Sequence, residues 1–122
     1  MKLERQEKEG GFIMAYVKIS VVEEIPVGSK KKVDVNGEQV LIVNIDGRFF
    51  AMANKCPHMG GSLADGNLEG NLIVCPRHHA KFDVTTGKAA GDAKIAFLKF
   101  KVPDVKKILV KVQGNDILVD VE

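Results

Sequence analysis

The sequence predicts an all-β fold: an antiparallel β-sandwich or small barrel with a smaller lobe mounted on one end. Three observations carry that reading. From residue 16 onward, β-branched runs of about five to seven residues recur at short intervals. Turn dipeptides separate them, Asn36-Gly37 and Asp46-Gly47 being the clearest, where positive backbone dihedrals suit tight hairpins. No stretch keeps a 3.6-residue apolar period long enough to make a helix.

Taken in order, residues 1–15 open with MKLERQEKEGG, show no apolar periodicity and break at Gly10-Gly11. They read as a loosely ordered extension, with Met14 as an alternative start, and the folded domain is expected over 16–122. Residues 16–22 make a first strand. Residues 32–35 pair with 39–44 across Asn36-Gly37, and Asp46-Gly47 closes a second hairpin whose return strand, 48–54, delivers the chain to Cys56. After Glu69-Gly70-Asn71, residues 72–74 do the same for Cys75. Residues 81–84 then lead away before Thr85-Thr86-Gly87 turns the chain. Roughly residues 54–93 form the smaller lobe. Beyond it, 95–102, 108–112 and 117–121 alternate as strands of the base sheet, the last two joined through Gly114-Asn115. Phe49, Phe50, Phe82, Phe97 and Phe100 are expected in the core.

A chain of 122 residues, 45% hydrophobic and 28% charged, suits one ordinary globular domain. No apolar run approaches the roughly 18 residues of a membrane span, and the N-terminus is too charged for a signal peptide. The expectation is a cytoplasmic protein with no membrane partner. A net charge of +2, with Lys30-Lys31-Lys32 and Lys106-Lys107 beside turns and no aromatic residues interleaved, indicates solvated surface and no nucleic-acid partner. One disulfide from two cysteines would be an odd staple for a core of this size, so metal ligation is the better use of them.

The chemistry lies in Cys56-Pro57-His58, a gap of sixteen residues, then Cys75-Pro76-Arg77-His78. Each group offers one sulfur and one nitrogen. A structural zinc site usually pairs like with like, two to four residues apart, so that each pair wraps one ion. Cys56 and His58 stand one residue apart, which in an extended loop is awkward for a single ion. They suit the two irons of a binuclear cluster, with Cys56 and Cys75 on one iron, His58 and His78 on the other, and sulfides between; that division defines a Rieske centre. Every Cys and His of the chain, two and three in number, falls in this one segment, so chance is a poor account of the pattern.

Both groups resemble the two boxes of Rieske ferredoxins. The likeness extends through Gly60-Gly61-Ser62-Leu63 after the first and Phe82-Asp83 and Thr86-Gly87 after the second. It implies one 2Fe-2S cluster per chain, held by Cys56, His58, Cys75 and His78, with the outer nitrogens of both imidazoles facing solvent where the electron leaves. In the high-potential respiratory members each box carries a further Cys, the pair forming a disulfide, and a Ser of the second box donates to a sulfide. Here Gly61 and Arg77 stand at the disulfide positions and Ala80 at the hydroxyl position, which predicts a reduction potential toward the low end of the class. Two departures stand out: His79 where relatives often have Gly, and Ala89-Ala90-Gly91-Asp92-Ala93 where relatives carry prolines over the cluster. His79 is not expected to be a ligand.

The resemblance implies an electron-transfer protein rather than an enzyme, a one-electron carrier between a reductase and a terminal oxygenase or other redox enzyme. A Rieske oxygenase also needs a mononuclear iron on two His and a carboxylate, and with His58 and His78 assigned only His79 remains. The alternative is a small Rieske subunit of an enzyme complex such as an assimilatory nitrite reductase. A zinc or redox-sensing module is a third reading. Met59 with Pro57, Pro76 and Ala80 is a candidate apolar docking rim, while Lys55, Arg77, Lys81 and Lys88 flank the boxes and read first as ordinary solvated cations.

Overall fold

The structure is a computed structural model and describes residues 3–7, 13–57, 60–77, 79–91, 93–95 and 98–120. Its strands are β1 (Leu3–Glu7), β2 (Ile13–Val21), β3 (Lys30–Val35), β4 (Glu38–Ile45), β5 (Arg48–Ala53), β6 (Asn67–Glu69), β7 (Leu72–Val74), β8 (Lys81–Asp83), β9 (Ala89–Gly91), β10 (Ala93–Ile95), β11 (Leu98–Phe100), β12 (Lys107–Ile108), β13 (Val110–Gln113) and β14 (Asp116–Asp120). Single 3-10 turns occupy Val22–Glu24 and Leu63–Asp65. Among the described residues these form three four-stranded antiparallel sheets, in the orders β1-β2-β14-β13, β12-β5-β4-β3 and β6-β7-β8-β9, and a two-stranded one, β10-β11. The first two make the base, and the third is the lobe.

The middle sheet explains the stacking. Val40, Leu41, Ile42, Val43 and Asn44 of β4 are all buried, a continuous run of the kind a strand needs when both its faces are covered. Its side chains alternate between two cores. Val40 and Ile42, with Ala51 of β5, join Val35, Ile108, Ile117 and Val119 against the outer sheet. Leu41 and Val43, with Met52, join Leu63, Ile73, Phe82 and Val84 against the lobe, and that second core also contains Cys56 and Cys75. Asn36 (φ 52°) and Asp46 (φ 53°) take the left-handed conformation expected of the two hairpin turns. At the base, the ammonium of Lys31 donates to Glu24 at 2.9 Å and to Ser20 at 3.2 Å, holding the Glu24 carboxyl below its ordinary range.

Several boundaries differ from the sequence reading. The first fifteen residues include β1, paired with β2 from Leu3 opposite Val17 to Glu7 opposite Ile13. The single base strand expected at 95–102 is instead β10 and β11, which among the described residues pair only with each other. Their register sets Ile95 opposite Leu98, Lys94 opposite Lys99 and Ala93 opposite Phe100. The strand expected at 108–112 breaks at Leu109: Ile108 pairs with Ala51 of the middle sheet, whereas Val110 pairs with Val119 of the outer one. That switch stitches the base together. Among the phenylalanines Phe82 is fully buried, while Phe49 and Phe50 are half-buried, Phe50 carrying the Arg48 guanidinium 5.7 Å from its ring centre. Phe97 and the Phe100 side chain lie outside the description. Among the described residues no helix is long and apolar enough to cross a membrane.

Candidate metal centre

Cys56 and Cys75 open two loops closed by the same backbone bond. In the first, the Cys56 amide donates to the Gly61 carbonyl at 2.7 Å; in the second, the Cys75 amide donates to the Ala80 carbonyl, also at 2.7 Å. Each bond closes a six-residue loop. The closing residues Cys56, Gly61, Cys75 and Ala80 are buried, and the prolines in second place, Pro57 and Pro76, are exposed. The fifth residue of each loop must take a positive φ: Gly60 at 72° and His79 at 63°. This explains His79. It occupies the turn position that Gly60 fills in the first loop, where a left-handed backbone favours Gly and admits His at a cost.

The loops are brought together below their bases. After the first loop, the Leu63–Asp65 turn ends at Gly66, where an added Cβ would fall 1.9 Å from the Val74 carbonyl oxygen, so only Gly permits the approach. Asn67 then pairs with Val74, the residue before Cys75. The second loop rides on the β7–β8 hairpin, Val74 facing Lys81. A segment from the base straps the lobe: the Val105 amide donates to the Gly87 carbonyl at 2.7 Å, Ala53 donates to Lys106 at 2.9 Å, and Asp104 Oδ1 accepts the Ala89 amide at 2.8 Å. Residues 89–91, expected within a loop over the site, are β9, paired with β8.

Asn54 clamps the neck of the first loop, a role the sequence reading missed. It is fully buried; its Nδ2 donates to Ser62 Oγ at 2.8 Å and Gln39 Oε1 at 3.3 Å, and its Oδ1 accepts the Ala64 amide at 2.8 Å. Its carbonyl accepts the Leu63 amide at 2.9 Å, and Lys55 bridges Ser62 beside it. A lone Asn two residues before Cys56 carries no sequence signal of burial.

The two thiols are fully buried, lie in one core and are not joined in a disulfide. A Cβ added to Gly61 would meet Cys75 Sγ at 3.3 Å, so bare backbone of one loop lies against the sulfur of the other. Soft sulfur donors converging from two rigid loops fit an iron–sulfur group. His58 and His78, the other two expected ligands, lie outside the described residues, as does Met59. Among the described residues no group of three or more His, Cys, Asp or Glu is placed to hold a metal, so His79, exposed, does not join the two sulfurs. Ala80, expected in the apolar rim, is fully buried instead.

Residues 15–107 match the Rieske [2Fe-2S] domain. The chain belongs to that family. Its Rieske relatives include the ferredoxin component of biphenyl 2,3-dioxygenase from Rhodococcus jostii strain RHA1, 36% identical over 89% of this chain and 95% of the relative. The ferredoxin component of the naphthalene 1,2-dioxygenase/salicylate 5-hydroxylase systems of a Ralstonia species is 31% identical over 88% and 96%. Among solved structures, the ferredoxin of carbazole 1,9a-dioxygenase from Nocardioides aromaticivorans IC177 superposes with a TM-score of 0.74 at 28% identity, covering 85% of this chain and 95% of that one. The all-β Rieske fold and one 2Fe-2S cluster per chain therefore stand, and the protein is an electron carrier rather than an enzyme.

Proposed function

We propose that the Rieske cluster is held by Cys56, His58, Cys75 and His78, and that the protein carries single electrons from a reductase to the terminal oxygenase component of a dioxygenase-type system in the cytoplasm. The observation behind the ligand set is the pair of loops closed by the same bond: each buries a cysteine at its first position and exposes the proline that follows it. The bound cluster supplies one-electron chemistry. The chain's own residues do the rest. Asn54 and the Gly66–Val74 contact fix the loop bases, the buried core shields the sulfurs from water, and the exposed tips leave a face for a partner. The domain is taken as 16–122, with the lobe at roughly 54–93, and the homologous dioxygenase ferredoxins support the choice of acceptor.

Anaerobically prepared protein should contain iron and inorganic sulfide in equal amounts. Its reduced form should give an anisotropic electron paramagnetic resonance signal and pass one electron per chain to a purified oxygenase component. Cys56→Ser and Cys75→Ser should each yield cluster-free protein, because thiolate ligation is coupled to folding around the metal. Unchanged cluster absorbance in either variant, or zinc without sulfide in the native protein, overturns the assignment.

A further inference from the structure

We propose that Lys55 and Arg77, whose stems lie on the consecutive glycines Gly60 and Gly61, form a cationic clasp at the electron-exit face that receives a carboxylate-rich surface of the redox partner. The inference rests on the electron-carrier reading and specifies the chemistry of the partner's docking surface. A Cβ added to Gly60 would sit 3.3 Å from Lys55 Cε; one added to Gly61 would sit 3.2 Å from Arg77 Cδ and 3.3 Å from Arg77 Cγ. The two glycines thus act as seats. The lysine comes from the first loop's neck and the arginine from the second loop, so the clasp spans both loops that carry the expected ligands.

Seating the apolar stems on backbone leaves both charged heads in water while restricting their motion, which lowers the ordering cost of docking. Both residues are exposed, and neither forms an ion pair among the described residues. Two of the other cations are paired with acids, and one nearby acid accepts a backbone amide. Lys81 lies 3.6 Å from Glu69, and Lys106 lies 3.9 Å from Glu38. Asp34, which with Glu38 lines a hollow beside Lys55, accepts the Gly37 amide at 3.0 Å. Asp65 is exposed on the turn after the first loop. The loop tips also present Pro57 and Pro76, so two cations border an otherwise uncharged pair of exposed prolines. Opposite charge on the partner would steer encounter and fix orientation, and would act mainly on association rate.

The experiment uses the reduced, cluster-loaded full chain and two one-electron oxidants of opposite charge, hexacyanoferrate(III) and hexaammineruthenium(III). Each takes one electron from the cluster and becomes the corresponding metal(II) complex. At low ionic strength Lys55→Glu/Arg77→Glu should slow oxidation by hexacyanoferrate(III) about tenfold or more, speed oxidation by hexaammineruthenium(III), and lose both effects as salt is added. The control, Lys30→Glu/Arg48→Glu, makes the same change of net charge at the far end of the middle sheet, with Arg48 roughly 25 Å from Cys56 by strand rise. It should alter both rates less than about twofold. Poly-L-glutamate should compete with hexacyanoferrate(III) for the wild type and not for the clasp variant. Equal effects of the two double variants, or indifference of the wild type to polyglutamate, overturns the clasp. Failure of the reduced wild type to pass an electron to either oxidant would instead overturn the electron-carrier reading.

Discussion

Replacing Asn54 by Ala tests whether the first loop is held by its neck. The substitution removes two good side-chain hydrogen bonds, Nδ2 to Ser62 and Oδ1 from the Ala64 amide, each 2.8 Å long, and strands that amide in a partly buried place. At about 1 kcal/mol for each bond and about 1 kcal/mol for the stranded donor, the loss is about 3 kcal/mol. For a chain of this size that is about 12 °C in apparent melting temperature. Asn44 supplies the control. Also buried, it donates to the Ile25 carbonyl at 2.8 Å and accepts the Gly47 amide at 2.9 Å, at the opposite end of the middle sheet. Asn44→Ala should lower the melting temperature by a similar amount. The two variants should part company in the cluster. Local opening of the first loop, not global unfolding, limits loss of a bound group held by that loop. If half of the 3 kcal/mol falls on that opening, Asn54→Ala should bleach about tenfold faster than Asn44→Ala at 25 °C. The assay is visible absorbance of loaded protein followed in air, beside a thermal scan at fixed rate. Equal bleaching rates in the two variants would show that Asn54 contributes only general stability.

Two further substitutions probe the second loop. His79→Gly should raise the apparent melting temperature by about 2 °C, since relief of the left-handed strain, roughly 1 kcal/mol, is partly offset by the greater freedom of Gly when unfolded; a lower melting temperature would mean that the imidazole makes a stabilising contact. Ala80→Ser places a hydroxyl on the fully buried residue that closes the second loop, at the position where high-potential relatives carry their donor. One hydrogen bond favouring the reduced state by about 1.4 kcal/mol corresponds to about 60 mV upward, read by redox titration. An unchanged or lower potential would refute the account given for the low potential expected of the wild type.

The parts of the fold legible in the sequence are those in which a residue's own chemistry decides its place. Asn36-Gly37 and Asp46-Gly47 dictate their turns through backbone dihedrals, and the β-branched run within residues 39–44 marks a strand. The cysteines were legible because sulfur and imidazole at that spacing have few other uses. What escaped depends on partners. β6 reads Asn-Leu-Glu and β9 Ala-Ala-Gly, sequences with no strand signal of their own, which become strands because β7 and β8 offer open edges to pair with. The break at Leu109 follows from competition between two sheets for one segment, and composition does not reveal it. The place of His79 became clear only when its loop was laid over the first: a departure from the family pattern in sequence is the same turn in space, built with a costlier residue.

The matched loops also account for the division of labour across the lobe. In both, the first and sixth residues are buried and tied by one 2.7 Å bond, while the second and fifth are exposed, so each loop is a short spur with its sulfur at the root. A carrier needs its redox group held without play, since movement on gaining an electron slows the exchange, yet it must also bring that group close to many successive partners. Roots locked in a core shared with β4 and β5 meet the first demand: Cys56, Cys75, Leu41 and Met52 belong to one packed cluster, and shifting either sulfur would disturb the central sheet. Exposed residues near the surface meet the second: Pro57, Gly60, Pro76, Arg77 and His79 all face solvent, within reach of an approaching partner. Charge is then the property left free to vary at the tip without disturbing the roots. The stems of Lys55 and Arg77 lie over Gly60 and Gly61, so altering their charged heads should change which partner docks and how fast, and leave the cluster's spectrum as it was.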